Sequence, residues 1–463
     1  MPKIKYLYIS EGVDVGAPVD QYIAVGEFTS FASTADYVAA KGGAAENGDC
    51  FYNTTAHKLF LYADGEWTSG IRPPLQSLTG SQNVDEWLKP LLELHAANEN
   101  ALANVASFLH GATAVNYAYY GGVYSPIQNR IYLVPYVQST QSTWHYIDCE
   151  TGNVVGYSHG ATVSGNAYRG GVYSPTQNRI YLVPYDQASQ STWHYIDCET
   201  GNVVGYSHGV TAASSAYYGG VYSPTQNRIY LVPYNQADES TWHYIDCETG
   251  DVEGYTHGAS AVNNAYIGGV YSPTQDRIYL VPGDQATQST WHYIDCETGN
   301  VVGYSHGATV SDSYNGGVYS PTQNRIYLVP GGQATQSTWH YIDCETGDVE
   351  GYTHGASAVN FAYYGGVYSP TQDRIYLVPS GQADESTWHY IDCETGDVVG
   401  YTHGATAVNY AYIGGVYSPT QDRIYLVPSG QADESTWHYI QFTGYSDGIA
   451  PHMFGSTILS STF

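Results

Sequence analysis

The sequence predicts an all-β protein: a seven-bladed β-propeller of four-stranded blades, preceded by a small N-terminal α+β module and a helical linker. Three observations lead there. The motif GGVYSP recurs, its glycine pair opening at Gly121, Gly170, Gly219, Gly268, Gly316, Gly365 and Gly414, at spacings of 49 residues and one of 48. Tyrosine and glycine supply 49 and 51 of the 463 residues against two methionines, a balance that suits short strands and tight turns. Finally, the seventh copy stops after its third strand, and the missing fourth stands ahead of the first copy.

Each copy reads as four strands. The first ends in GGVYSP, the turn TQN or TQD follows, and RIYLVP forms the second. A linker such as YDQASQ leads to STWHYIDC, the third, and the turn ETGN or ETGD leads to VVGYSHG, the fourth. Turn formers occupy the turns and Val, Ile, Tyr and Trp the strands. Four strands in about 40–50 residues are the signature of a propeller blade, whose two apolar faces demand stacked neighbours. An open ring would leave strand edges unpaired. The segment NVASFLHG (Asn104–Gly111) aligns with NVVGYSHG (Asn153–Gly160), so residues 104–110 are expected to close the last blade as its outer strand, three strands plus one.

The pattern GGVYSPTQNRIYLVPY…WHYIDCETGNVVGY resembles the YVTN and NHL-type propeller families across residues 104–442. The resemblance implies architecture and leaves activity open, because propellers host many unrelated functions.

Composition narrows the classes. A net charge of −29 with 14 Lys plus Arg excludes a phosphate-neutralising surface, so no nucleic-acid partner is expected; the acidity suits solubility. The amino-terminal stretch MPKIKYLYISEGVDVG lacks the apolar core of a secretion signal, and no apolar run reaches the ~20 residues that span a bilayer, so no membrane insertion is expected. Six of the seven cysteines, Cys149, Cys198, Cys247, Cys296, Cys344 and Cys393, are one repeat position copied, which predicts free thiols from a reducing cytosol.

Most repeated residues read as structural. Trp144 and its equivalents should pack between blades, and Arg130 and Asp148, with their equivalents, should form a repeated pair. Gln441 replaces that aspartate in the last blade, which would leave Arg423 without its partner. Two rings of histidines, at WHY and at HG, lie too far from the axis for neighbouring copies to share an ion, so no metal and no cofactor is expected. No acid, base and nucleophile stand apart from the repeat, so the chain reads as a non-enzyme.

Differences among copies collect on one face. The first–second and third–fourth turns share a face and hardly vary; the other connections share the opposite face and do. Before the glycine pair stand Tyr120, Arg169, Tyr218, Ile267, Asn315, Tyr364 and Ile413; three residues earlier come Tyr117, Asn166, Ser215, Asn264, Phe361 and Tyr410. The second–third linkers open with Tyr136, Tyr185, Tyr234, Gly283, Gly331, Ser380 and Ser429. This mixture suits adaptable recognition, with tyrosines stacking on sugar rings. The expected ligand-binding residues are therefore Tyr117, Tyr120, Arg169, Tyr218, Asn315, Phe361, Tyr364, Tyr410, Tyr136, Tyr185 and Tyr234.

Residues 1–72 read as the small module, with a short helix in TADYVAAKGG capped by Ser33 or Thr34, and strand–turn–strand–turn–strand from Asp49 to Gly70. Residues 73–103 read as linker and helix; Asn83 and Glu86 form a capping-box pattern, and Pro90 should kink or restart the helix. Leu88, Leu91, His95, Asn98, Leu102 and Val105 form a stripe that suits homo-oligomerisation through a coiled coil or, equally, packing beneath the propeller. Residues 443–463 match no repeat and read as a tail. The segment GAAENGDCFYNTTAHKLFLYADGEW resembles modules of phage tail- and head-fibre proteins. That resemblance implies a virion appendage assembled in the bacterial cytoplasm, anchored to virion structural proteins through residues 1–72, whose propeller binds a host-surface polysaccharide. A structural decoration or assembly protein of the virion, and a free lectin-like protein, are the alternatives.

Overall fold

A computed structural model describes residues 104–310 and 313–442, together with the segments 3–8, 24–31, 33–41, 44, 50–53, 58–63 and 66–69. The chain divides into two compact units, Met1–His95 and Ala96–Phe463. The expected linker helix within 83–103 and the tail 443–463 lie outside the described residues.

In the first unit a five-stranded sheet takes its strands in chain order, Lys3–Tyr8, Ala24–Phe31, Cys50–Asn53, Lys58–Ala63 and Glu66–Ser69. The last three are the strands expected from the sequence; the first two, and the parallel pairing of the second with the third, were not read there. The helix Thr34–Lys41 connects that parallel pair. Ser33 caps it: its Oγ accepts from the Asp36 backbone N–H at 3.2 Å and donates to Asp36 Oδ2 at 2.8 Å.

The second unit is seven four-stranded antiparallel sheets. The first blade comprises Tyr119–Ser125, Arg130–Pro135, Thr143–Asp148 and Val154–Ser158, and five more follow in the same order. The seventh takes Tyr412–Ser418, Arg423–Pro428 and Thr436–Gln441 from the end of the chain and Asn104–Leu109 from its beginning. Register runs from Thr436 opposite Leu109 to Gln441 opposite Asn104, so the ring closes three plus one as expected. Val105 and Phe108 thus belong to a strand, where the linker stripe had counted Val105 as helical.

The GGV motif has a physical cause. Register shifts between Tyr119 and Gly122, a bulge in which Gly121 takes a φ of 95°. The second glycine serves packing: a Cβ on Gly122 would lie 3.0 Å from Val416 of the preceding blade, and one on Gly269 would lie 2.9 Å from Val221. Only glycine lets the inner strands approach this closely.

Between blades run seven apolar clusters, each shared by two neighbours. Trp144 is fully buried and meets Tyr168 of the next blade edge to face at 6.0 Å. At the closure, Trp437 meets Tyr119 in the same way at 5.8 Å. Cys149 is buried, and burial pushes its thiol up to about 11, so these repeated cysteines are inert packing residues.

Both histidine rings are committed to protein partners. His159 stacks on Trp144 at 4.0 Å, donates from Nε2 to the Gln141 carbonyl at 2.6 Å and accepts at Nδ1 from the Ala161 N–H. The inner histidines pair through Nδ1 with a tyrosine hydroxyl of their own blade at 2.6–2.8 Å, as His145 does with Tyr119. Among the described residues no cluster of His, Cys, Asp or Glu could hold a metal ion, and no helix is long and apolar enough to cross a membrane.

The expected Arg–Asp pair needs correction. Arg130 and Asp148 do face one another in register, yet each repeat arginine lies over a tyrosine ring, Arg130 over Tyr146 at 4.3 Å. Asp148 instead shapes the ETG turn, its Oδ1 accepting from the N–H groups of Glu150 and Thr151 and from the Thr151 hydroxyl. Ion pairs within 4.0 Å form in the fifth and sixth blades, Arg325–Asp343 and Arg374–Asp392. Arg423 has a partner after all, since its Nε donates to Gln441 Oε1.

Candidate functional site

The two faces of the ring obey the same backbone geometry and fill it differently. On the uniform face, the third turn residue after GGVYSP has a left-handed φ of 48–52° in every blade: Asn129, Asn178, Asn227, Asp276, Asn324, Asp373 and Asp422. Asn and Asp tolerate that conformation best after glycine. Their side chains also work: Asn129 accepts from Tyr124 of its own blade at 2.9 Å and from Thr420 of the preceding blade at 2.7 Å. Six such threonine links join neighbouring blades at 2.6–2.8 Å. The seventh is missing because Ile127, 56% exposed, replaces threonine. Uniformity there is structural.

On the variable face, φ of 51–55° recurs at Tyr117, Asn166, Ser215, Asn264, Phe361 and Tyr410. Here bulky aromatics occupy a conformation that costs most L-residues about 1–2 kcal/mol. Tyr117, Phe361 and Tyr410 belong to three adjoining blades, and they are 49%, 40% and 48% exposed. The loops that carry them are well braced. Tyr410 N–H donates to Ser380 O at 3.0 Å and Tyr117 N–H to Ser429 O at 3.0 Å. A buried glutamine in each linker clamps the loop further, Gln431 accepting at Oε1 from Val408 N–H and donating from Nε2 to Thr436 O.

Nearer the axis, the residues before the glycine pairs meet. Tyr120, Tyr218 and Tyr364 come from the first, third and sixth blades, and their hydroxyls are in mutual hydrogen-bond contact. Their rings stand edge to face, with centroids 5.4 and 5.8 Å from Tyr120. They are half-buried and surround a cavity of about 20 Å³, with Arg169, Ile267, Asn315 and Ile413 in its wall. That space holds roughly one water. These tyrosines therefore plug the axis, whereas sequence reasoning had cast them as open stacking platforms. Burial raises the phenols of Tyr120 and Tyr364, which stay neutral donors.

Arg169 sits within an aromatic cage. Its guanidinium carbon lies 3.8 Å from the Tyr185 ring centroid, 4.5 Å from Tyr218, 4.8 Å from Tyr120 and 5.4 Å from Tyr136. Tyr136, Tyr185 and Tyr234 form an arc with successive centroids 6.3 Å apart. The remaining linkers open with Gly283, Gly331, Ser380 and Ser429, so one half of the mouth is aromatic and the other small.

No family model matches the chain, and no curated protein sequence matches it. Among solved structures, the crystal structure of a mitotic checkpoint complex includes a chain similar to this one, with a TM-score of 0.51 and 9% identity, covering 81% of this chain and 98% of that one. The extracellular domain of a putative hybrid two-component system from B. thetaiotaomicron is also similar, with a TM-score of 0.51 and 9% identity, covering 85% of this chain and 46% of that one. The likeness is one of fold alone. A seven-bladed propeller is compatible with ligand binding, and the site must be argued from its own residues.

Proposed function

We propose that the chain is a binding protein whose variable face engages a glycan, displayed as the receptor-binding part of a phage virion appendage. One observation carries the binding reading: exposed aromatics at Tyr117, Phe361 and Tyr410 occupy left-handed backbone that the opposite face gives to Asn and Asp. Strain retained at exposed aromatics points to selection for contact rather than for stability. Exposed rings on adjoining blades suit the apolar faces of pyranose rings, and the Asn and Ser of the other blades suit sugar hydroxyls. What supports placement on a virion is the resemblance of residues 43–67 to phage fibre modules, with residues 1–72 as the anchor to other virion proteins.

The test is a panel of bacterial surface polysaccharides probed with the full chain and with the triple variant Tyr117→Asn, Phe361→Asn, Tyr410→Asn, which installs residues the repeat already uses there. Binding by the parent and its loss in the variant is the expected result. Silence across the panel, with particle incorporation dependent on residues 1–72 or on the uniform face, would instead make the propeller a structural decoration.

A further inference from the structure

Among the lysines and arginines of residues 104–442, Arg169 alone is not copied through the repeat; the other seven are the arginines opening each second strand. It stands on the opposite face from them, in a chain of net charge −29. No carboxylate of the described residues lies within ion-pair distance of it. Of its five N–H donors, one on Nη2 reaches a protein acceptor, the Tyr136 hydroxyl at 3.3 Å. Among the described residues Nε is buried without a partner and Nη1 has none, and the residue as a whole is part-buried.

The surroundings make this a prepared cation. Four tyrosine rings hold the guanidinium in place, so little rotamer freedom remains to be lost when a ligand arrives. The Tyr136 hydroxyl, which accepts from Nη2, keeps its own proton as a neutral donor beside the guanidinium. A planar, fixed, underused guanidinium beside a phenol donor is matched by an oxyanion.

We infer that the glycan is acidic, and that its oxyanion is received by Arg169 at the axial mouth while its rings lie on the exposed aromatics. This rests on the glycan reading above. Repulsion by the acidic surface is screened beyond about 10 Å at 0.1 M salt, so the local cation decides the contact.

The experiment compares the full chain and Arg169→Asn, the residue that the fifth blade carries as Asn315, by calorimetric titration with oligogalacturonate, its methyl ester, and sulfated and phosphorylated oligosaccharides of matched length. We expect acidic saccharides to bind at least about tenfold tighter than the ester, and Arg169→Asn to erase that preference. Preference for carboxylate over sulfate or phosphate identifies the group; any one of them satisfies the inference. Equal binding of acid and ester, or an unchanged preference in Arg169→Asn, overturns it while leaving a glycan-binding protein. No binding of any saccharide overturns both. Arg169→Ile, matching Ile267 and Ile413, repeats the test should the first variant fold poorly.

Discussion

Acid should unfold this propeller before its carboxylates titrate. Seven inner histidines are almost completely buried, 1–3% exposed, and burial lowers their affinity for a proton. For His145, His194, His243, His292, His389 and His438 the value falls from 6.5 to about 4. Between those pH values the unfolded chain binds a proton that the folded chain refuses, so stability is intact above about 6.5 and falls as pH drops toward 4. At about 1.4 kcal/mol per pH unit, the full drop is worth roughly 3 kcal/mol per histidine. Relaxation and an effective dielectric nearer 20 reduce this to about 1 kcal/mol each. Six copies then sum to about 6 kcal/mol, comparable to the 5–15 kcal/mol that holds a domain together. Lowered affinities at His208, His257, His354 and His403 act in the same direction. The assay is the urea midpoint of the full chain at pH 7.5, 6.0 and 4.5, followed through the buried tryptophans. We expect a steep loss below pH 6 and a shallower one in His243→Gln, smaller by about 1 kcal/mol. A midpoint that is constant or rises over this range would refute the reasoning.

Other outcomes follow from the ring's construction. Gly269→Ala should lose about 1–3 kcal/mol by overpacking against Val221, and Val221→Ala should relieve much of it in a double-mutant cycle; zero coupling would mean the inner strands have room to spare. Ile127→Thr should restore the seventh inter-blade link to Asn178 and raise the urea midpoint by up to about 1 kcal/mol of stability, and a destabilised variant would contradict that pairing. The triple Asn variant at Tyr117, Phe361 and Tyr410 should lose glycan binding with a melting temperature within a few degrees of the parent, because relieved strain offsets lost contact; a collapse of the fold would make these aromatics structural.

Much of this architecture was legible because the repeat is nearly invariant. Turn chemistry separated the strands, and the match of NVASFLHG to NVVGYSHG placed the closing strand, which pairs as Val105 opposite Ile440. The glycine pair was legible as a marker but not as a contact, since Val416 lies some three hundred residues away in sequence from Gly122. The Arg130–Asp148 pairing failed as an ion pair for a local reason: Tyr146 and Asp148 both lie within reach on the neighbouring strand, and register alone does not choose between them. The axial plug depends on ring geometry that joins residues 98 and 244 positions apart. By contrast, the left-handed backbone at Tyr117 had a visible signal. Asn166 and Asn264 hold the same repeat position, and asparagine is the residue that visits that conformation most readily.

Which face carries the ligand can be read directly by hydroxyl-radical footprinting of the full chain with and without a bound surface polysaccharide. The variable face offers Tyr117, Phe361 and Tyr410 as reporters, and the opposite face offers Ile127, the exposed residue that breaks its threonine ring. Protection of the three aromatics with Ile127 still fully reactive is the predicted result. Protection of Ile127 with the aromatics unchanged would contradict the assignment of the binding face.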